Sequence, residues 1–403
     1  MTDAVTTPPQ AIVAGSPVTF TGVRGDFRRL VTRGALLTLL TLGFYRFWLA
    51  TDMRRHLWSH TAVGGDAPEY TGTAKELLIG FLFALAIMAP VYLAYFFIGI
   101  EAELYQAFAS FPLVLFFYLF FQFAMYRARR YRLSRTVWRG VRFWMKGSGW
   151  SYAWRAGLWM VLVIVTAGLA LPWRQAALER YKMRNSFYGD LAGGFDGTGG
   201  GLFKQIWWVW LVTVLIIGAI SAVGHFVGTG RAEAIGFVLV PLFMVWLVFA
   251  YAMYKACEWR WWMAGIRFGD VRCESKLSMS AFFGLYWKVI GWSWLILLLV
   301  MLWFGGVVFL AYSMVGSTMS GAEAFAMTMQ NVSILIALAL GYIAAALAFG
   351  VVVRLYLRRD VWVRVAASTA VSNLAAADNV AARGEAVNAL GEGFADSLDI
   401  GGF

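Results

Sequence analysis

His56 and His60 stand four residues apart, the spacing that sets two imidazoles on one helix face for a metal ion. A metal would also need Glu, Asp or Cys ligands, and the sequence alone brings none to that face, so the pair reads as part of a solvated loop helix. Cys257 and Cys273 share one loop without Cys-x-x-Cys spacing, which argues against a metal or redox centre. Gly193 to Gly201 has the glycine content of a phosphate-cradling loop but lacks its Gly-Lys-Ser/Thr ending, and reads as a linker. No nucleophile, base and orienting acid fall into a catalytic pattern. The expectation is a protein that is not an enzyme and holds no metal or cofactor.

The remaining chemistry belongs to cations. Arg127 to Arg155 carries eight arginines and Lys146 with no acidic residue. Joined at both ends to apolar segments, such a loop resists translocation and marks the cytoplasmic side. Arg129, Arg130, Arg132, Arg135 and Arg142, with Arg46 and Arg267 elsewhere, are the candidates for contact with anionic lipid headgroups. Each near-surface charge is worth up to about 1 kcal/mol there. Arg46 sits inside an apolar segment, where it either meets an anionic substrate or snorkels to lipid phosphate. Tryptophan clusters at 207, 208 and 210, at 259, 261 and 262, and at 287, 292 and 294 read as the interfacial aromatic belt.

The elements that position these groups are membrane segments. Hydrophobic residues make up 61% of the 403 and charged ones 14%, with eight prolines, a composition far from that of a soluble domain. The net charge of +12 would suggest nucleic acid in a soluble chain. Here it falls where positive-inside topology needs it, so no nucleic-acid partner is expected. Residues 77–99, 111–126, 206–226, 234–254, 289–312 and 332–353 read as six full spans without a charge at their centres, which argues against a carboxylate-based proton- or sodium-coupled carrier. Only Arg231, among all Lys and Arg, lies in a connection on the outer side.

Residues 34–50 and 156–173 are too short to cross comfortably, since 17 or 18 residues of helix rise about 25 Å against a hydrocarbon core of about 30 Å. Basic loops flank both, so they are expected to be re-entrant or interfacial, the alternative being eight spans. Thr41 and Gly43 in the first, and Thr166 and Gly168 in the second, are expected to mark helix breaks in which the Thr hydroxyls bond freed carbonyls. A shift of 125 residues superposes the two and also sets Gly72 on Gly197, which points to internal repeats. The fold expected is an all-α polytopic membrane protein with short cytoplasmic β-hairpins at 61–73, 137–148, 185–198, 264–275 and 366–382. Its organisation would be a polar tail 1–19, repeats 20–155 and 156–288, a final span pair 289–365, and a tail 366–403. Met1 to Thr19 does not read as a signal peptide, and both termini are expected in the cytoplasm.

Phe20-Thr21-Gly22, Leu36 to Trp48, Tyr70-Thr71-Gly72-Thr73 and Gly391 to Gly401 resemble the YjgN family of bacterial inner-membrane proteins across essentially the whole chain. The resemblance implies a multi-pass inner-membrane protein of unknown function, with no catalytic residues to carry over. Two functions of different class follow from the residues. One is a carrier or scramblase-like protein for lipid or a small amphiphile, suggested by repeats, uncharged spans and a basic, aromatic-lined inner face. The other is a non-transporting scaffold that binds a protein partner through its cytoplasmic hairpins.

Overall fold

Strand pairs of two to five residues are not stable alone in water, and in this chain they join into one sheet. The structure, a computed structural model, describes residues 15–101, 106–226, 229–315 and 331–385 with Val387 and Asp396. Its strands are β1 (Ser16–Phe20), β2 (Thr61–Val63), β3 (Glu69–Tyr70), β4 (Thr136–Trp138), β5 (Val141–Met145), β6 (Ser186–Tyr188), β7 (Leu191–Phe195), β8 (Ile266–Phe268), β9 (Val271–Ser275) and β10 (Thr369–Ser372). Two-residue turns close three hairpins. Arg139 and Gly140 both have positive φ, and Gly189 and Gly269 supply it at the first turn position of the other two, as the right-handed strand twist requires.

All neighbours in the sheet are antiparallel, in the order β2-β1-β10-β9-β8-β7-β6-β5-β4-β3. A flat sheet of ten strands would be about 43 Å wide. Yet its two outermost strands, β2 and β3, are joined by only residues 64–68, which reach about 22 Å at full extension. The sheet must therefore curl. Its concave core shows the result, because Val63 of β2 shares one cluster with Trp138, Tyr188 and Phe268, and with Leu374, Ala377 and Val380 of the segment after β10.

This corrects the expected all-α class to a mixed one: mostly helical, with a single curled sheet. Residues 61–73 are not a hairpin. Their strands pair outward, β2 with β1 and β3 with β4, leaving one bridge between Val63 and Asp66. Residues 366–382 are not one either: β10 lies between β1 and β9, and a 3-10 turn follows at Leu374–Ala377. β1 begins at Ser16, inside the stretch read as a polar tail, because pairing to β10 and β2 satisfies its backbone.

The helices are α1 (Arg24–Leu40), α2 (Arg46–Ser59), α3 (Ala74–Glu101), α4 (Gln106–Ser134), α5 (Gly149–Val165), α6 (Leu171–Arg184), α7 (Gly199–Phe226), α8 (Thr229–Gly265), α9 (Phe283–Val315), α10 (Val332–Val353), a π-helical stretch Arg354–Asp360, and α11 (Val361–Ala367). Each pair leaves one strand and returns to that strand's hydrogen-bonded neighbour. α1 and α2 run from β1 to β2, α3 and α4 from β3 to β4, α5 and α6 from β5 to β6, α7 and α8 from β7 to β8, and α9 and α10 from β9 to β10. All five excursions thus start and end at the sheet.

Buried clusters tie each pair to the next. Phe47 meets Leu77 and Tyr131; Tyr126 meets Tyr152 and Leu178; Met183 meets Leu202 and Trp261; Ala256 meets Leu285 and Val365. Leu355, after α10, then packs on Val31 and Met53 of the first pair, closing a ring.

Five described helices are long and apolar enough to cross a membrane: those holding Ala74–Leu93, Gly199–His225, Ile235–Gly265, Phe283–Leu310 and Val332–Ala367. They contain five of the six expected spans. The sixth, 111–126, lies within α4, a helix of 29 residues.

Candidate functional site

Helices α2, α4, α6, α8 and α11, each leading into a strand, line a chamber of about 370 Å³. Trp58 of α2, Arg129 and Arg132 of α4, Glu179 and Lys182 of α6, Lys255, Glu258 and Trp262 of α8, and Trp362 of α11 line it. The placement follows a spacing. Arg54, Arg129, Glu179, Trp259 and Trp362 each stand seven residues before the first residue of the following strand. The last four line the chamber, and Arg54 is buried beside it.

Glu179 organises the polar wall. It accepts from Arg129 at 3.2 Å and from the indole of Trp262 at 2.9 Å, and pairs with Lys182. Burial opposes its ionised form, but Lys182 and Arg129 outweigh that and hold the carboxyl below the ordinary carboxylate range. On α8, Glu258 accepts from Lys255 at 2.7 Å and from Gln175 at 3.0 Å. Trp58 and Trp362 stack at 5.1 Å between ring centres, and their indoles are fixed by Thr136 and Thr61. Four cations against two carboxylates among the lining residues leave the chamber net positive. Aromatic walls with a few oriented charges suit a small amphiphile or an anionic head.

Asp396, from the chain's end, is fully buried between Arg54 and Arg132, accepting from Arg54 at 3.0 Å through one oxygen and from Arg132 at 3.2 Å. It offsets one cation of the chamber wall.

The helix-break residues lie between the two helices of each short pair. At both breaks the chain enters the left-handed region over two residues, Leu42 with Gly43 and Ala167 with Gly168. Thr41 Oγ1 donates to the Leu37 carbonyl and Thr166 Oγ1 to the Leu162 carbonyl, each at 2.8 Å. The same hydroxyls accept from the Tyr45 and Ala170 amides, joining the end of one helix to the start of the next. Leu42 at the first tip is 90% exposed. Beside the second break an apolar groove of about 410 Å³ runs between Gly168, Leu171, Trp210 and Tyr251, with Tyr254 at one side. Tyr254 also donates through its hydroxyl to Glu258 at 3.4 Å, so a hydrogen bond links a residue of the groove to one of the chamber.

The arginines singled out as headgroup contacts do not form one surface. Arg129 and Arg132 belong to the chamber. Arg135 is paired to Glu76 at 2.7 Å, Arg142 donates to the Ser134 carbonyl, and Arg267 meets Asp196 at 2.8 Å. Arg46 lies over the rings of Phe47 and Phe81, and Arg130 is partly buried in α4. Trp259, Trp261 and Trp262 sit at the chamber rather than in a lipid-facing belt. The rings of His56 and His60 lie 4.3 Å apart, tilted by 33°. Burial, then His60 and Arg359, push the His56 imidazole below its ordinary value, and its Nε2 has no hydrogen-bond partner among the described residues. No cluster of three metal-ligating side chains occurs among the described residues.

A family model described as a bacterial protein of unknown function, DUF898, matches residues 15–397. The chain belongs to this family. Its match spans the sheet, all five helix pairs and Asp396, so the ring and the chamber fall within the family's extent. No curated protein and no solved structure matches the chain.

Glu179, Glu258, Lys182, Lys255 and Asp396 were not among the residues the sequence assigned to a site. The signal that finds the first of these is the seven-residue spacing to the next strand, invisible until β2, β4, β6, β8 and β10 are recognised as equivalent.

Proposed function

We propose that the chain is an inner-membrane protein of the kind its YjgN-like motifs suggest, with six spans, two re-entrant helix pairs and both termini in the cytoplasm, and that it passes a lipid or small amphiphile between leaflets. The topology is supported by the return of every helix pair to one sheet, and by the basic residues gathered on that side. The five-fold recurrence of strand, helix pair and strand, with its common seven-residue spacing, supports an origin in internal repeats.

One observation carries the activity: Tyr254, which lines the apolar groove at the α5–α6 break, bonds through its hydroxyl to Glu258, which lines the charged, aromatic chamber. Tails would remain in the groove among Leu171, Trp210 and Tyr251, while the head is drawn toward Lys182, Lys255 and Trp262. A polar head costs several kcal/mol to pass through hydrocarbon unaided, and a charged, hydrogen-bonding lining lowers that barrier.

The test is reconstitution of the full chain into liposomes carrying a fluorescent phospholipid in both leaflets, with a membrane-impermeant quencher outside. Wild-type protein is expected to expose nearly all the label, and Tyr254→Ala with Trp262→Ala to slow exchange about tenfold, equivalent to about 1.4 kcal/mol of barrier. Exchange no faster than in protein-free liposomes would overturn the reading.

A further inference from the structure

The first short pair bears a feature the chamber does not use. α1 places Arg28, Arg29 and Arg33 beside Thr32 and Leu36 around one surface hollow, all three arginines exposed. Thr32 and Leu36 also border a second hollow of about 750 Å³, walled by Leu39 of α1, Ile296, Leu299, Val300 and Trp303 of α9, and Leu340, Ala344 and Ala348 of α10. That groove is almost wholly apolar. Trp303 is pinned across it by donating its indole N–H to the Ala337 carbonyl at 2.9 Å, and it lies so close to Gly341 that a Cβ there would collide with it.

The two hollows form one amphiphilic track along α1. Arg29, Thr32 or Arg33, Leu36 and Leu39 follow one another at three- and four-residue steps and so share a helix face. From Arg29 to Leu39 the helix rises about 15 Å, half of a hydrocarbon core. A lipid whose head meets the arginines would lay its tails in the groove within a single leaflet. Arg29 has only the exposed Asp26, 3.8 Å away, and no ion pair reaches Arg28 or Arg33 among the described residues. Three cations facing the same hollow favour an anionic head over a zwitterionic one.

We propose that this track is a binding site for one anionic phospholipid, its phosphate held by Arg28, Arg29 and Arg33 and its tails lying between α1, α9 and α10. The site is separate from the chamber and does not depend on exchange between leaflets. It anchors the re-entrant α1 to the last span pair through a lipid.

Native mass spectrometry of the full chain tests it, with equimolar phosphatidylglycerol and phosphatidylcholine of identical tails. Wild-type protein is expected to retain one phosphatidylglycerol with about tenfold preference. Arg28→Gln, Arg29→Gln and Arg33→Gln together should remove the preference while lipid is still retained, and Ala344→Phe with Ala348→Phe should remove the retained lipid. Glycerol phosphate, the head alone, should not displace it. Circular dichroism of each variant confirms folding, and the single change Arg33→Gln, expected to lower the preference severalfold, serves if the triple variant does not fold. Equal retention of both lipids by wild-type protein, or unchanged preference in a folded arginine variant, overturns the proposal. Displacement by glycerol phosphate overturns it in favour of a soluble phosphate ligand. A failed exchange assay leaves it standing.

Discussion

Glu179 is the residue on which the chamber wall turns. It neutralises Arg129 and Lys182 at once, and breaking a buried pair by deleting one partner leaves charge without compensation. Glu179→Gln is therefore expected to destabilise the fold by about 3 kcal/mol, measured as a fall in the thermal midpoint of detergent-solubilised protein. The pH dependence has a definite sign. Because the folded carboxyl titrates below its ordinary 4.5, its contribution is present above that value and is lost as pH falls through the folded pKa. The wild-type midpoint should drop on acidification below about 4.5, and the Gln variant should show less of that drop. Sequence reading found Arg129 as a cation but assigned it to lipid, because nothing in the local string shows that an acid 50 residues away faces it. Trp262 was misplaced for the same reason: tryptophan near a span end suits a belt and an inner wall equally.

The helix breaks belong to the scale of elements, and there the string was more telling. Thr-x-Gly inside a short apolar run is a local signal, since a glycine in left-handed conformation and a hydroxyl that bonds back to a carbonyl act within one turn. Gly43 and Gly168 have φ of +94° and +89°, and a Cβ at Gly43 would meet nothing within 4 Å. The cost of a side chain at Gly43 is thus backbone strain alone. Gly43→Val and Gly168→Val are each expected to cost about 1–3 kcal/mol, read as lower folded yield by fluorescence-detected chromatography. If the second break also shapes the path to the chamber, Gly168→Val should reduce lipid exchange per folded molecule, whereas Gly43→Val should not.

The strands show the opposite lesson. Turns such as Arg139-Gly140 and Gly269-Asp270 locate hairpins, but pairing between β1 and β10, some 350 residues apart, has no local signature. The first hairpin was misread because Gly65-Asp66 looks like any tight turn, while its two strands each pair with a different neighbour.

At the level of the whole molecule, the account rests on a one-sided ring. The chain leaves the sheet five times and returns five times, so every strand connection lies at the sheet, and the proposed topology puts all of them on one side of the membrane. Composition and charge placement pointed to that side as cytoplasmic, and hydropathy located the long apolar helices, six expected spans against five described helices that are long and apolar enough to cross. What hydropathy could not supply was the curled sheet, whose strands are too short to stand out, and the chamber, which needs all five pairs to exist. The most direct measurement is labelling of single cysteines by a membrane-impermeant maleimide in intact spheroplasts, with Cys257 and Cys273 replaced by Ala. Gly65→Cys, Asp190→Cys and Asp270→Cys sit at three sheet turns separated by different helix pairs. The account predicts that all three stay unlabelled until the membrane is opened; labelling of Gly65→Cys or Asp190→Cys in intact spheroplasts, with Asp270→Cys protected, would contradict it.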